Sequence, residues 1–214
     1  MLAKAQTEIP GGGDWRYEPK WDGFRAIVFR DGDSLHIASR NALPLERYFP
    51  ELLDPFREAL PDRCVVDGEI VIASSHGLNF DALQLRLHPA ASRVRMLAEQ
   101  TPASAVLFDL LALGDRDLRN QPLAQRRAAL CDGVTASTDR IIGITPQTDD
   151  PDRATEWFTR YEGAGLDGVV AKSPAQPYLP GERGWIKVKH LRTVDAVVGG
   201  FREARRVHDV AQAA

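Results

Sequence analysis

Lys20-Trp21-Asp22-Gly23-Phe24-Arg25 runs straight into Ala26-Ile27-Val28-Phe29-Arg30, a turn feeding a strand. Asp31-Gly32-Asp33 then signals a hairpin, and Ser34 to Ser39 reads as the returning strand. The same character recurs further on, with an Asp-Gly pair and charged neighbours set inside an apolar run. It appears at Val66-Asp67-Gly68-Glu69-Ile70-Val71 and again at Leu166-Asp167-Gly168-Val169-Val170-Ala171-Lys172. Two more stretches read as strands, Ala105 to Leu111 with Phe108-Asp109 inside it, and Trp185-Ile186-Lys187-Val188-Lys189. Tyr17 to Pro19, Cys64 to Ala73, Arg140 to Thr145 and Ala196 to Phe201 complete the extended segments.

Helical stretches fall irregularly between these strands. Leu45 to Leu60 has helical spacing that Pro50 and Pro55 should break in two. Phe80 to Leu87 follows Asn79 as a cap, Leu123 to Cys131 follows Pro122, and Arg153 to Glu162 is ended by Gly163 and Gly165. Strands mixed with helices, without a regular βαβ repeat, indicate the α+β class.

The chain has 214 residues, 43% hydrophobic and 27% charged, ordinary values for one large or two small globular domains. It has no apolar run of the roughly 20 residues that span a bilayer, and Met1 to Pro10 has no signal-peptide core. Cys64 and Cys131 lack metal-type spacing and read as reduced, so a cytoplasmic address is expected. The net charge of −3 argues mildly against a dedicated nucleic-acid binder. A local basic groove remains open, because binding depends on where the charge sits.

Each motif has a plain reading as well. Lys20-x-Asp22-Gly23 alone would occur by chance in roughly one chain in twenty. Asp67-Gly68-Glu69 could be a β-bulge with outward carboxylates, Phe108 could be core, and Lys187 with Lys189 could mark a solvated edge strand. Taken together these readings fail, because the strands place lysines and acids where apolar residues would pack better. One site explains all of them. Lys20, Lys172, Lys187 and Lys189 offer positive charge to a polyphosphate, Glu69 and Asp167 offer oxygen ligands to Mg²⁺, and Phe108 offers an aromatic platform for a base. Trp21 and Trp185 are read as packing residues.

In that order, Lys-x-Asp-Gly, Asp-Gly-Glu, Phe-Asp, Asp-Gly-Val-Val-x-Lys and Lys-x-Lys, the chain resembles the covalent nucleotidyltransferases: DNA ligases, RNA ligases and mRNA capping enzymes. The likeness runs from about Met1 to Phe201 and is nearest to the bacterial ATP-dependent DNA ligases of the C type. It implies a nucleotidyltransferase (ATP-grasp-like) α+β core of mixed antiparallel sheets flanked by helices. In that likeness Lys20 attacks the α-phosphorus of ATP and carries AMP, and Glu18 sits where these ligases read the adenine amino group. Arg25 and Arg40 match arginines that contact the nucleotide or a 5′-phosphate. Glu69 would bind ribose or support Mg²⁺ or Mn²⁺, Phe108 would stack on adenine, and Asp167 would help hold the metal. Lys172, Lys187 and Lys189 would bind phosphate. Many relatives carry Glu where Asp167 stands, so metal contact here could run through water.

The resemblance implies a nucleotidyltransferase domain over 1–192, followed at Thr193 to Phe201 by what looks like the opening of an OB-fold. Arg202 to Ala214 is too short for five strands, and Glu203 to Ala213 has helical composition. The segment 193–214 is thus expected to be a truncated OB-fold start or a tail. The implied partner is nicked or broken double-stranded DNA, met by a monomer in DNA repair or recombination. RNA ligation, GTP-dependent capping, or a nucleotide-loaded DNA-end binder that seals poorly are the other readings. Freeing a lysine amine of its proton at pH 7 costs roughly 4–5 kcal/mol, and neighbouring lysines with a metal are expected to offset part of it.

Overall fold

The computed structural model describes residues 1–75, 77–135, 141–161 and 165–190. The expected strand Ala196–Phe201, the OB-like opening, the helical tail, the boundary at 192 and Gly163 lie outside those residues. In chain order the strands are β1 (Leu2–Gln6), β2 (Arg16–Trp21), β3 (Phe24–Asp31), β4 (Ser34–Ser39), β5 (Arg63–Val71), β6 (Ala73–Ser74), β7 (Gly77–Leu78), β8 (Ser104–Leu113), β9 (Arg116–Asp117), β10 (Ile142–Ile144), β11 (Leu166–Lys172) and β12 (Arg183–Lys189). The α-helices are α1 (Leu53–Ala59), α2 (Phe80–Leu85), α3 (Ala91–Gln100), α4 (Leu123–Gly133) and α5 (Pro151–Arg160).

Two mixed sheets carry the molecule. One runs β1-β12-β11-β2 and the other β10-β8-β5-β3-β4. β1 lies parallel to β12 and β10 parallel to β8, while the remaining pairs in these two orders are antiparallel. This is the expected α+β class. The predicted hairpin is present, with Asp31 opposite Ser34 and Gly32 at φ 60 in the turn. Asn79 caps α2 through its side-chain oxygen, which accepts from the Ala82 N–H at 2.9 Å.

One face of the second sheet packs Ala26, Val28, Val66, Ile70, Leu107 and Leu110 against Phe49, Leu52, Phe56 and Leu130. The outer face of the first sheet packs Tyr17, Val169 and Ala171 on Ala154 and Trp157 of α5. Each sheet therefore has one face committed to a core, and alternation turns the charged positions onto the other face.

One expectation needs correction, and two of the plain readings set aside above also fail on geometry. Pro55 does not break the helix over Leu53–Ala59. It is the third helical residue, where the backbone N–H has no intrahelical partner to lose. β12 is not an edge strand, because β1 and β11 flank it. The carboxylates of β5 and β8 do not all point outward. A register irregularity does fall between Asp67 and Gly68, yet Asp67 and Asp109 are both 0% exposed. Asp109 takes a two-pronged grip from Arg126 of α4, Nε at 2.8 Å and Nη2 at 2.9 Å, with Arg126 itself buried. A buried charge survives only when paired and hydrogen-bonded in this way.

Candidate active site

The inward faces of the two sheets meet across a cleft of about 960 Å³. Glu18 and Lys20 of β2, Lys172 of β11, and Trp185, Lys187 and Lys189 of β12 line one side. Arg25 of β3, Glu69 of β5 and Phe108 of β8 line the other, and Arg40 sits exposed at the rim. Every sequence-derived site residue except Asp167 is a lining residue, and Asp167 touches two of them. Basic side chains outnumber acidic ones in this lining, so the mildly acidic chain does carry a local basic groove.

Glycine lets the motifs approach one another. A Cβ on Gly23 would lie 2.9 Å from the Glu69 Cγ and closer still to the Ile70 carbonyl oxygen. Gly168 holds φ 139, and a Cβ there would collide with the Val188 carbonyl. The pairing of β11 with β2 shifts register between Leu166 and Val169. Beside that irregularity Asp167 reaches Lys20 Nζ at 2.8 Å and Lys189 Nζ at 2.5 Å. Burial works against the Asp167 charge, but hydrogen bonds from Lys189 and Lys20 outweigh it and hold the carboxyl below the usual range. Lys187 shifts down, through burial first and then the charges of Lys189, Lys20, Arg183 and Arg40. These cations share one end of the cleft. Arg183, at that end, is a residue the motifs did not reveal.

Glu69 stands across from this cluster. Burial pushes its carboxyl up to about 7, with Lys20 and Arg25 pulling the other way. Its charge is therefore held loosely near neutral pH.

Lys172 belongs to the other end. It is 1% exposed, donates to Glu18 Oε2 at 2.6 Å, and lies 4.6 Å and 4.3 Å from the ring centres of Phe108 and Trp185. The resemblance implies a phosphate role for Lys172; in this structure its charge is met by Glu18 and two aromatic faces. Phe108 packs edge-on against Trp185 at 5.8 Å and joins Leu111 and Tyr178 in a small cluster, so it is both lining and core. Trp21 and Trp185 pack as expected, Trp21 also donating to Thr145 Oγ1 at 2.9 Å.

Arg25 is likewise spoken for. Its Nε and Nη2 donate to the two Asp67 oxygens at 3.0 and 2.6 Å, Nη1 to the Met1 carbonyl at 2.5 Å, and Nη2 to Tyr178 Oη at 3.2 Å. Burial alone would weaken its charge, but bonding to Asp67 holds its pKa up. Beside the contact with nucleotide or 5′-phosphate that the resemblance implies, Arg25 makes a structural one, a brace between β3, β5 and the segment holding Tyr178. Only the neighbour relation of β3 and β5 reveals this partner.

A cleft between two mixed sheets, with a lysine and clustered cations at one end and a buried acid–base pair beside aromatic rings at the other, defines a nucleotidyltransferase-type ligase core. The chain belongs to the ATP-dependent DNA ligases, matching the family model described as ATP dependent DNA ligase domain over residues 1–189. It is 58% identical to DNA ligase C of Mycobacterium tuberculosis, over 94% of this chain and 57% of that protein. It is 54% identical to DNA ligase C1 of Mycolicibacterium smegmatis, over 94% of this chain and 59% of the relative. The chain thus spans less than two thirds of these curated relatives. The ligase domain of M. tuberculosis LigD superposes with a TM-score of 0.62 at 25% identity, covering 88% of this chain and 59% of that one. Among the described residues, no helix is long and apolar enough to cross a membrane.

Proposed function

We propose that this chain is the nucleotide-loading core of an ATP-dependent DNA ligase, with Lys20 as the residue that becomes adenylylated. The observation that carries this reading is the position of Lys20 in the cleft. Its Nζ is held by Asp167 beside Lys187 and Lys189, on the strand that two residues earlier supplies Glu18 to the base end. A nucleotide laid along the cleft has its base near Glu18, Lys172 and Phe108 and its phosphates among the cations. The Nζ–P bond forms as the α-phosphorus–oxygen bond to pyrophosphate breaks, the amine proton is released, and pyrophosphate leaves with the bonding pair. Lys187 and Lys189 steady that departing charge.

Mg²⁺ or Mn²⁺ fits as a hard cation bound by few protein oxygens. Among the described residues, no group of three or more His, Cys, Asp or Glu forms a metal nest. A cation that keeps waters and shares phosphate oxygens needs only one or two carboxylates, and Glu69 and Asp167 supply them. When bound, the metal neutralises phosphate charge. In the second and third steps AMP passes from Lys20 to a DNA 5′-phosphate, and a 3′-hydroxyl then displaces AMP to seal the nick. Arg40, exposed in the cleft lining, meets the DNA 5′-phosphate in this reading. In this reading the protein acts as a monomer in the bacterial cytoplasm, in repair or recombination.

The test is to supply AMP-loaded protein, freed of ATP, with a nicked duplex bearing a 5′-phosphate. Appearance of 5′-adenylylated or sealed DNA is expected. AMP retained on the protein, with unchanged DNA at every salt concentration tried, would contradict the DNA step.

A further inference from the structure

The segment from Thr145 to Thr148 belongs to none of the motifs, yet it runs directly behind the site. The Thr145 N–H donates to the Leu107 carbonyl at 2.8 Å, beside Phe108, and Thr145 Oγ1 accepts from Trp21 at 2.9 Å, beside Lys20. Tyr17 and Thr148 exchange two backbone hydrogen bonds, at 2.8 and 3.0 Å, beside Glu18. Arg127 Nη2 closes on the Thr145 carbonyl at 2.5 Å. The segment is therefore fixed to the strand neighbours of three site residues. One of its side chains, Gln147, reaches the site itself, where Nε2 donates to Glu18 Oε1 at 2.8 Å.

Glu18 is 3% exposed, with one oxygen taken by Gln147 and the other by Lys172. A buried ion pair alone can rotate and pays a large desolvation cost. A neutral donor on the second oxygen holds the carboxylate in one plane without adding charge. A carboxylate has about four lone-pair sites, so two remain for a ligand. A fixed acceptor beside a fixed ammonium donor complements the 6-amino group and N1 of adenine. The 6-oxo group and N1–H of guanine reverse both signs.

Building on the reading proposed above, we infer that Gln147 is a positioning residue for base selection, holding Glu18 so that the cleft accepts a 6-aminopurine and rejects a 6-oxopurine. It touches no reacting atom. Its loss therefore affects nucleotide capture and choice, with the maximal rate of Lys20 modification left near wild type.

Gln147→Met keeps length and bulk and removes the donor. Single-turnover AMP and GMP loading of the whole chain is measured against ATP and GTP concentration, together with the melting temperature. The half-saturating ATP concentration is expected to rise about tenfold or more, the scale of a lost hydrogen bond to a charged group, and the ATP-over-GTP preference to fall by a similar factor. If Gln147→Met melts far below wild type, Gln147→Asn keeps an amide but draws it out of reach, and the same shifts are expected. Unchanged half-saturation and unchanged preference would overturn the inference, as would an equal loss for both nucleotides alongside the maximal rate. Wild-type protein that loads no nucleotide at all would remove the proposed function and this inference with it, whereas identical behaviour of wild type and variant removes the inference alone.

Discussion

Lys20 Nζ lies 2.8 Å from Asp167 Oδ2, the same oxygen that Lys189 reaches at 2.5 Å. An ammonium held in that pair has no free lone pair, so in the proposed reaction the contact loosens before Lys20 attacks. In that reading Asp167 also aims Lys20, and aim is the part a neutral substitute loses.

Asp167→Asn should slow lysyl-AMP formation on the order of 10- to 100-fold, the cost of misplacing a reacting group by about 1 Å. Half-saturation by ATP should move little. Stopped single-turnover reactions give both values, and an unchanged rate would show that Asp167 is a bystander. The depressed Asp167 pKa also fixes a sign. Its contribution to stability is present above the ordinary Asp value and lost as pH falls through the lower folded value. The melting-temperature gap between wild type and variant should therefore be seen at neutral pH, begin to close only below about pH 4, and vanish once pH is below the lowered folded value.

Glu69 has the opposite sign. With a folded pKa raised to about 7, the folded protein holds more protons than the unfolded chain between the ordinary Glu value and neutrality. Stability must then fall as pH rises through that window. In metal-free buffer Glu69→Gln should melt higher than wild type above pH 7, by on the order of 1–3 kcal/mol of stability, with the gap closing toward about pH 4. Loading of AMP should be slower in the same variant. A gain in stability with a loss of chemistry marks a residue kept for function. Melting curves that track wild type across the whole range would contradict the raised pKa.

Were Phe108 only a platform for a base, Leu in its place would leave the apo melting temperature almost unchanged. The packing revises that. Phe108 is 9% exposed and meets Trp185 edge-on, a contact worth about 0.5–1.5 kcal/mol beyond its area. Phe108→Leu should lower the melting temperature by a few degrees and also weaken ATP binding by roughly 1–3 kcal/mol, if base stacking here is like that in single-strand binding. Calorimetric titration with ATP separates the two effects. Lower stability with equal ATP affinity would reduce Phe108 to a core residue.

Much of the fold was legible because its signals are local. The Asp31-Gly32-Asp33 turn, the Asn79 cap and the charged residues alternating along β12 each sit within a few positions of their effect. β1 was missed because Leu2–Gln6 has no strand pattern of its own and is extended only through parallel pairing with β12. α3 was missed because Val94 and Ala98 are its only buried residues, too few to write a periodicity. The site lysines and acids were visible as misfits in apolar strands. Their partners were not, since Arg25–Asp67, Lys172–Glu18 and Asp109–Arg126 join segments 42, 154 and 17 residues apart. Those pairings are set by which strands and helices become neighbours.

The central claim is that Lys20 carries the nucleotide. Intact-mass spectrometry under denaturing conditions, after incubation with ATP and Mg²⁺ or Mn²⁺, reads it most directly. The wild-type chain should gain the mass of one AMP, lose it in acid, and place it on the peptide containing Lys20, while Lys20→Ala should gain nothing. An undiminished adduct on Lys20→Ala, or an adduct mapped to Lys172, Lys187 or Lys189, would contradict the account.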